Sequence, residues 1–207
     1  ILAQGIWPRS FRTRTMADSC VSQVLALLVL DTDGQRLAVK YSAVGRKEIW
    51  PTPKLQMAFE KRVITKLPKN SGSKTEVDVA VIDEFTVLHQ SGNDVVICAV
   101  AANGENELVV LSLVEGVFSA ISNCAHAGFL SSGLSKQFVL DNLADVLFIL
   151  DEVTDEGIIM ETEEELILNR IKMIDELESN SSAQADAVFQ KATQNAKSKL
   201  LSSLMGR

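Results

Sequence analysis

Two acidic side chains near the start of the sequence, Asp31 and Asp33, have the types and spacing needed for phosphoryl transfer. They follow a continuous apolar run at residues 23–30, which is typical of a buried strand. In hydrolases that form an aspartyl phosphate, the first aspartate attacks phosphate, the second serves as acid and base, and Mg²⁺ neutralises charge. Such enzymes also need a parallel sheet of βα units, a downstream lysine and a later acidic metal pair. Here the chain returns at once as a second strand pattern, and Gln35 stands where the motif normally has Thr or Ser.

The same residues are also typical of a β-hairpin. Asp33-Gly34 is a strong signal for a two-residue turn of type I′. Residues 35–42 then alternate, and the face that is expected to be buried carries Leu37, Val39 and Tyr41. A calcium loop is disfavoured because the EF-hand pattern spaces its glycine and final glutamate differently and lies between helices. The sequence therefore favours a hairpin, with a Mg-dependent phosphatase that uses Asp31 and Asp33 as the alternative.

The other reactive side chains form no recognisable catalytic or metal-binding motif. Acidic runs at 151–156 and 161–165 offer paired carboxylates, but acids at helix ends are more often solvated. The histidines and cysteines are His89, His126, Cys20, Cys98 and Cys124. Their number and spacing disfavour a zinc site, and Cys98 and Cys124 are expected to fill the core. We therefore predict a non-catalytic interaction domain with no metal, no cofactor and no small-molecule substrate.

Composition narrows the class of partner. The net charge of −7 and pI of about 4.9 weigh against nucleic acid, because binding phosphates needs clustered Lys and Arg. The sparse, odd set of cysteines fits a reducing compartment. The longest apolar runs reach only about 10 residues, whereas a membrane-spanning helix needs roughly 20. These features predict a soluble protein that reaches a membrane only through a partner or a lipid.

Hydrophobic periodicity predicts an α+β domain with the order β-β-α-β-β-β-α-α, followed by a helical tail. Pro53 is expected in the first turn of a helix capped by Thr52, and Thr162 with Glu165 resembles a capping box. The predicted strands cover 23–30, 35–42, 77–83, 84–90 and 95–102, and the predicted helices cover 53–67, 107–121, 136–152 and a segment that begins at Thr162. Strands joined by hairpins predict a mostly antiparallel sheet with helices on it.

Three regions are predicted along the chain. Residues 1–15 carry arginines but no acid and read as non-native or disordered leader, with a transit peptide as the alternative. Residues 16–170 form the folded domain, and Met16 resembles a natural start. Residues 171–207 form a helical or flexible extension that includes a polar linker at 178–186. The last segment, 187–207, is basic and weakly amphipathic, and it is expected to be a solvated tail or to contact an acidic partner or a membrane surface.

Four stretches of the sequence carry a family resemblance, and they read "LLVLDTDGQRLAVKY", "KLQMAFEKRV", "GENELVVLSLVEGVFSAI" and "VLDNLADVLFILDEVTDEGIIMET". Together they resemble the coatomer zeta subunit family, which consists of small chains of vesicle coats. The resemblance covers about Gln23 to Arg170 and implies a longin-like fold, in which a five-stranded, mostly antiparallel sheet has helices on both faces. A sigma-type small chain of a clathrin adaptor is the alternative within the fold. Longin SNAREs carry a SNARE helix that has no counterpart in this sequence.

The resemblance also implies a function. Zeta chains are non-catalytic and pair with the large gamma subunit of coatomer. An Arf-family GTPase recruits the coat to Golgi membranes for retrograde transport to the endoplasmic reticulum and transport within the Golgi. The expected location is the cytoplasm, peripheral on the cytosolic face of Golgi membranes and coated vesicles.

The candidate partner-binding residues are Trp50, Leu55 and Phe59, because the chain is otherwise poor in aromatic residues. Large apolar and aromatic side chains often anchor protein interfaces. The alternative is that the stripe of the helix at 53–67 packs on the sheet; this stripe consists of Leu55, Phe59, Val63 and Leu67.

Overall fold

The computed structural model describes residues 22–67, 76–124 and 134–173. Within these ranges five strands form one antiparallel sheet with the spatial order β2-β1-β5-β4-β3. The strands are β1 (Ala26–Asp31), β2 (Arg36–Tyr41), β3 (Asp78–Ile82), β4 (Phe85–Ser91) and β5 (Val95–Ala102). This confirms the predicted α+β fold, and it places β5 between β1 and β4 at the centre of the sheet.

Helices cover both faces of the sheet. After a short π-helical turn at Gly45–Ile49, the helices are α1 (Pro53–Lys66), α2 (Glu107–Asn123), α3 (Lys136–Asp141), α4 (Leu143–Val153) and α5 (164–173). A small hairpin of β6 (Thr154–Asp155) and β7 (Ile158–Ile159) follows α4. Thr52 caps α1 by accepting a hydrogen bond from the backbone of Leu55, and Asn106 caps α2 in the same way.

The alternation of side chains along the strands divides the interior into two apolar layers. One layer holds α1 against Leu28 of β1, Val87 of β4 and Cys98 of β5. The other holds α2, α4 and α5 against the opposite face, with Val29 and Ile97 at its centre. Strands β1 and β5 are buried on both faces, which is why they read as continuous apolar runs in the sequence.

The hairpin after β1 differs from the predicted type I′ turn. Only Gly34 has a positive φ there, at 76°, whereas a type I′ turn needs positive φ at both central residues. The backbone N–H of Gly34 donates to the carbonyl of Asp31, and the N–H of Asp31 donates to the carbonyl of Gln35. These bonds and the φ of Gly34 show a three-residue loop, 32–34, that ends in a glycine bulge, and the side chain of Asp31 also holds the turn.

Two helix predictions also need correction. The pattern at 136–152 is not one helix, because the chain breaks at Asn142, whose side-chain amide donates to the carbonyl of Phe138. The predicted capping box of Thr162 and Glu165 is replaced by Glu161, whose Oε1 accepts hydrogen bonds from the backbone N–H groups of Thr162 and Glu163. A carboxylate suits this helix start because it meets the positive end of the helix dipole.

Several predictions lie outside the described residues. They concern the leader at 1–15, Cys20, His126, the linker at 178–186 and the basic segment at 187–207. Among the helices in the described ranges, none combines the length and apolar character needed to cross a membrane.

Candidate interaction surfaces

The three predicted partner-binding residues do not share one surface. Trp50 is 4% exposed and Phe59 is 0% exposed, so both belong to the core between α1 and the sheet. Leu55, by contrast, is 47% exposed near the start of α1. The packing alternative thus describes Phe59 and Val63 but not Leu55. Binding of a partner by these residues stays a prediction. Of the three, Leu55 has the side chain that is exposed for contact.

Trp50 lies at the centre of an aromatic cluster. Its ring centroid is 4.3 Å from that of Phe59, 5.2 Å from that of Phe85 and 5.5 Å from that of Tyr41. The π-helical turn positions it, because the backbone N–H of Trp50 donates to the carbonyl of Gly45. Aromatic pairs of this kind stabilise by about 0.5–1.5 kcal/mol beyond their buried area. Trp50 therefore anchors the start of α1 to the sheet.

The outward side of α1 is basic, although the chain as a whole has a net charge of −7. Its exposed cations are Lys54, Lys61, Arg62 and Lys66, and its exposed apolar side chains are Leu55 and Met57. Lys66 and Arg62 both reach Asp83, at 2.7 and 3.3 Å. The hydrogen bond from Lys66 lowers the pKa of Asp83, assisted by the charge of Arg62 and opposed by partial burial. This surface suits an acidic partner that also covers a few apolar groups.

A buried charged network under α1 had no counterpart in the sequence prediction. The Oε1 atom of Glu60 accepts from Arg36 Nη2 at 2.6 Å and from the Tyr41 hydroxyl at 2.7 Å, and Oε2 accepts from Arg36 Nε at 3.1 Å. Burial raises the pKa of the Tyr41 hydroxyl, and the hydrogen bond to Glu60 raises it further. The sequence signal for the burial of Glu60 was its spacing, three residues before Val63, which places it on the inward side of α1.

The Asp31 carboxylate is part of the hairpin structure. Its Oδ1 accepts from the backbone N–H groups of Asp33 and Gln35 at 3.0 and 2.7 Å, and its Oδ2 accepts from Lys136 Nζ at 2.7 Å. Burial acts to raise the pKa of Asp31, but Lys136 and the backbone donors outweigh it and hold that pKa below its usual value.

The surroundings of Asp31 do not match the phosphatase alternative. Asp33 is exposed, and the strands on either side are antiparallel. In the described ranges, His, Cys, Asp and Glu side chains form no group of three that could hold a metal ion. The arrangement fixes the turn to α3, since Lys136 is the first residue of that helix.

The acidic run at 151–156 lies at the edge of the sheet beside β2. Lys40 Nζ donates to the carbonyl oxygens of Thr154 and Leu150 at 2.6 and 3.2 Å and pairs with the Asp151 carboxylate at 2.9 Å. A cation at the end of α4 interacts favourably with the helix dipole. A polar cleft of about 370 Å³ lies here, lined by Val39, Lys40, Tyr41, Arg46, Asp151, Asp155 and Glu156. Its charges are largely paired with one another, which favours a structural role over acid–base chemistry.

His89 and Cys98 are buried on paired positions of β4 and β5. Neither ring nitrogen of His89 has a hydrogen-bond partner. Burial lowers the pKa of His89, although the charge of Asp78 opposes the shift. Burial raises the pKa of the Cys98 thiol to about 12, so this cysteine stays a neutral core residue, as predicted.

Comparisons with known proteins identify the family. Residues 23–178 match the family described as clathrin adaptor complex small chain. The chain is 32% identical to coatomer subunit zeta-2 of Arabidopsis thaliana over 75% of its length and 81% of the relative. It is 35% identical to coatomer subunit zeta-1 of the same plant over 72% and 78%. For human coatomer subunit zeta-1 the identity is 28%, over 86% and 93%.

A structural comparison agrees on the fold. A chain in a homology model of the full-length AP-3 complex in a stretched open conformation superimposes with a TM-score of 0.52 at 12% identity. The match covers 78% of this chain and 98% of the other. At this identity the likeness concerns the fold alone, which is longin-like. Together with the family match, these relatives show that the chain belongs to the clathrin adaptor complex small chain family and, within it, to the coatomer zeta subunits.

Proposed function

We propose that this chain is the non-catalytic small subunit of a coatomer coat, where it pairs with the large gamma subunit. In this role it joins an Arf-dependent coat on the cytosolic face of Golgi membranes for retrograde transport to the endoplasmic reticulum and transport within the Golgi. The observation that carries the proposal is the family match, which spans the whole described domain. The mechanism is assembly, and membrane attachment comes through the coat.

The surface chemistry supports a binding role. Asp31 and Glu60 are committed to hydrogen bonds that hold elements of the fold together. Exposed apolar side chains on α1, Leu55 and Met57, lie next to unburied lysines. Apolar groups that remain exposed beside charges mark surfaces that a partner can cover.

Affinity purification of the full chain from its own cells tests the proposal. We expect the large coatomer subunits, including gamma, to co-purify in equal amounts. Recovery of the large chains of a clathrin adaptor instead would reassign the chain to the sigma-type alternative. Recovery of neither set would contradict the proposed function.

The phosphatase alternative has its own test. Purified chain is assayed with Mg²⁺ and a chromogenic phosphate ester, beside the Asp31→Asn variant. We expect neither protein to hydrolyse the ester faster than buffer alone does. Turnover that disappears in Asp31→Asn would support the enzyme and contradict the assembly role.

For the partner-binding site, we propose that Leu55 contacts the large subunit directly, whereas Trp50 and Phe59 act by fixing α1. The Leu55→Asp variant should lose gamma-subunit binding while its melting temperature stays unchanged. Leu166→Asp is a matched control because Leu166 is similarly exposed but lies on α5, across the sheet from α1. Equal binding by the wild type and Leu55→Asp would contradict the assignment of this contact.

A further inference from the structure

The outward side of α4 is apolar where a solvent-facing helix is normally polar. Leu147 and Phe148 remain 46% and 41% exposed, and Leu140 at the end of α3 is 44% exposed. Within α4, Ala144 precedes Leu147 and Phe148 by three and four residues, so it lies on the same side of the helix. We call Ala144, Leu147 and Phe148 the α4 strip.

The segment that carries the α4 strip is acidic. Residues 136–156 contain one lysine and six acids, which are Asp141, Asp145, Asp151, Glu152, Asp155 and Glu156. Cations from other elements pair with three of these acids: Lys40 with Asp151, Arg46 with Glu156 and Arg170 with Glu152. With six acids and one lysine, residues 136–156 carry a negative net charge. An occupant of the strip should therefore be apolar on one side and basic around it.

The C-terminal sequence has this chemistry. In residues 187–207 apolar side chains recur at every fourth position, at Val188, Ala192, Ala196, Leu200 and Leu204. The same segment contains Lys191, Lys197, Lys199 and Arg207 and no acid. We propose that residues 187–207 of the chain dock on its own α4 strip, with the apolar stripe on Leu147 and Phe148 and the lysines toward the acidic border.

The chain has the length needed for this contact. The last described residue is Met173 in α5, and Arg170 of the same helix contacts Glu152 of α4. Residues 174–186 span up to about 40 Å when extended, several times the length of the strip. A tether of this size gives an effective concentration of about 1 mM, so a weak contact is sufficient to keep the segment docked.

Burial of apolar side chains and attraction between opposite charges both contribute to the free energy of docking. Burial of the apolar side chains supplies most of the attraction, because single exposed ion pairs contribute little. The charges orient the segment and weaken as salt screens them. The docked segment covers the strip.

Thiol labelling in the full chain tests the proposal. In a Cys20→Ser background, Ala144→Cys places a thiol in the strip, and Ala58→Cys places one on the exposed side of α1 as a matched control. The remaining cysteines of this background, Cys98 and Cys124, are buried. The rate of alkylation by iodoacetamide is followed by mass spectrometry, with the native C-terminal sequence and with Leu200→Asp/Leu204→Asp.

We expect the tail substitutions to raise the labelling rate at position 144 by about tenfold and to leave the rate at position 58 unchanged, because a docked population of about 90% slows labelling to that extent. Salt should also raise the rate at position 144 in the chain with the native tail. An unchanged rate at position 144, or an equal rise at position 58, would overturn the proposal. Slower labelling at position 144 with increasing protein concentration would overturn docking within one chain and assign the strip to a second copy.

Discussion

The buried Glu60 carboxylate of α1 binds the Arg36 guanidinium of β2 through both oxygens, at 2.6 and 3.1 Å. Strand β2 is an edge strand of the sheet, so this ion pair holds α1 on that edge. The planar fork of Arg36 accepts only one orientation of the carboxylate, which limits rotation of α1 about its axis. That rotation decides which side chains point outward, and hence whether Leu55 is available to a partner.

The first prediction concerns this ion pair. Glu60→Ala should lower the free energy of unfolding by about 2–4 kcal/mol, because it leaves Arg36 and the Tyr41 hydroxyl without their acceptor. Tyr41→Phe removes one hydrogen bond and should cost only about 1–2 kcal/mol. Urea unfolding of both variants measures the difference. A loss in Glu60→Ala no larger than that in Tyr41→Phe would contradict the central role of the ion pair.

The order of strands and helices was predictable because local signals were strong. Pro53 after Thr52 marked the start of α1, and the apolar run at 95–102 marked β5. These features depend on neighbours in the sequence, and family resemblance then supplied the longin-like topology.

Features that depend on distant contacts were missed. The spacing of Glu60 to Val63 places it on the inward side of α1, but nothing near it in the sequence indicates that Arg36 is its partner. The apolar period continues across Asn142, which hid the break between α3 and α4. The burial of Trp50 depends on the π-helical turn before it, for which the sequence has no reliable signal.

The second prediction concerns the hairpin glycine. Gly34→Val should destabilise the protein by about 1–2 kcal/mol, because a β-branched residue resists the positive φ at this position. Gly34→Asn should cost less, since asparagine tolerates the left-handed region. A Cβ atom there would lie 3.6 Å from that of Ile64, which is ordinary contact, so the cost comes from the backbone. Equal melting temperatures for the two variants would contradict this explanation.

The third prediction tests the side-chain bonds of the same turn. Asp31→Ala should cost about 1–3 kcal/mol, because two backbone N–H groups lose their acceptor. Asp31→Asn should cost less, since an amide oxygen can accept both bonds. Chemical unfolding at neutral pH compares the variants. If alanine is as well tolerated as asparagine, the carboxylate does not hold the turn.

The fourth prediction is a pH dependence caused by His89. Burial depresses its pKa in the folded state, while the unfolded chain protonates near the ordinary value of about 6.5. The unfolded state therefore binds more protons below that pH, and stability should be complete well above pH 6.5 and decrease as the pH falls below it. The limiting slope for this group is about 1.4 kcal/mol per pH unit.

The control for His89 is a variant of similar size that cannot titrate. His89→Leu should flatten the dependence of unfolding free energy on pH between about 5.5 and 7.5, because it removes the group that takes up the proton. The carboxylates are the same in both proteins, so a difference between the two pH profiles of unfolding free energy comes from His89. Parallel pH profiles for the wild type and His89→Leu would show that another group is responsible.

The fifth prediction reverses the usual effect of glycine replacement in a helix. Gly116 lies within α2, where exchange for alanine normally stabilises by about 1 kcal/mol. Here a Cβ atom would lie 2.0 Å from the carbonyl oxygen of Thr162, so the backbone that leads into α5 would have to move. Gly116→Ala should therefore destabilise the protein by about 1–3 kcal/mol net and weaken the packing of α5.

The control is Ser112→Ala, on the exposed side of the same helix, which should be neutral or slightly stabilising. Thermal unfolding, with amide exchange at 164–173, measures both effects, and a Gly116→Ala variant as stable as Ser112→Ala would show that α5 does not require this close contact.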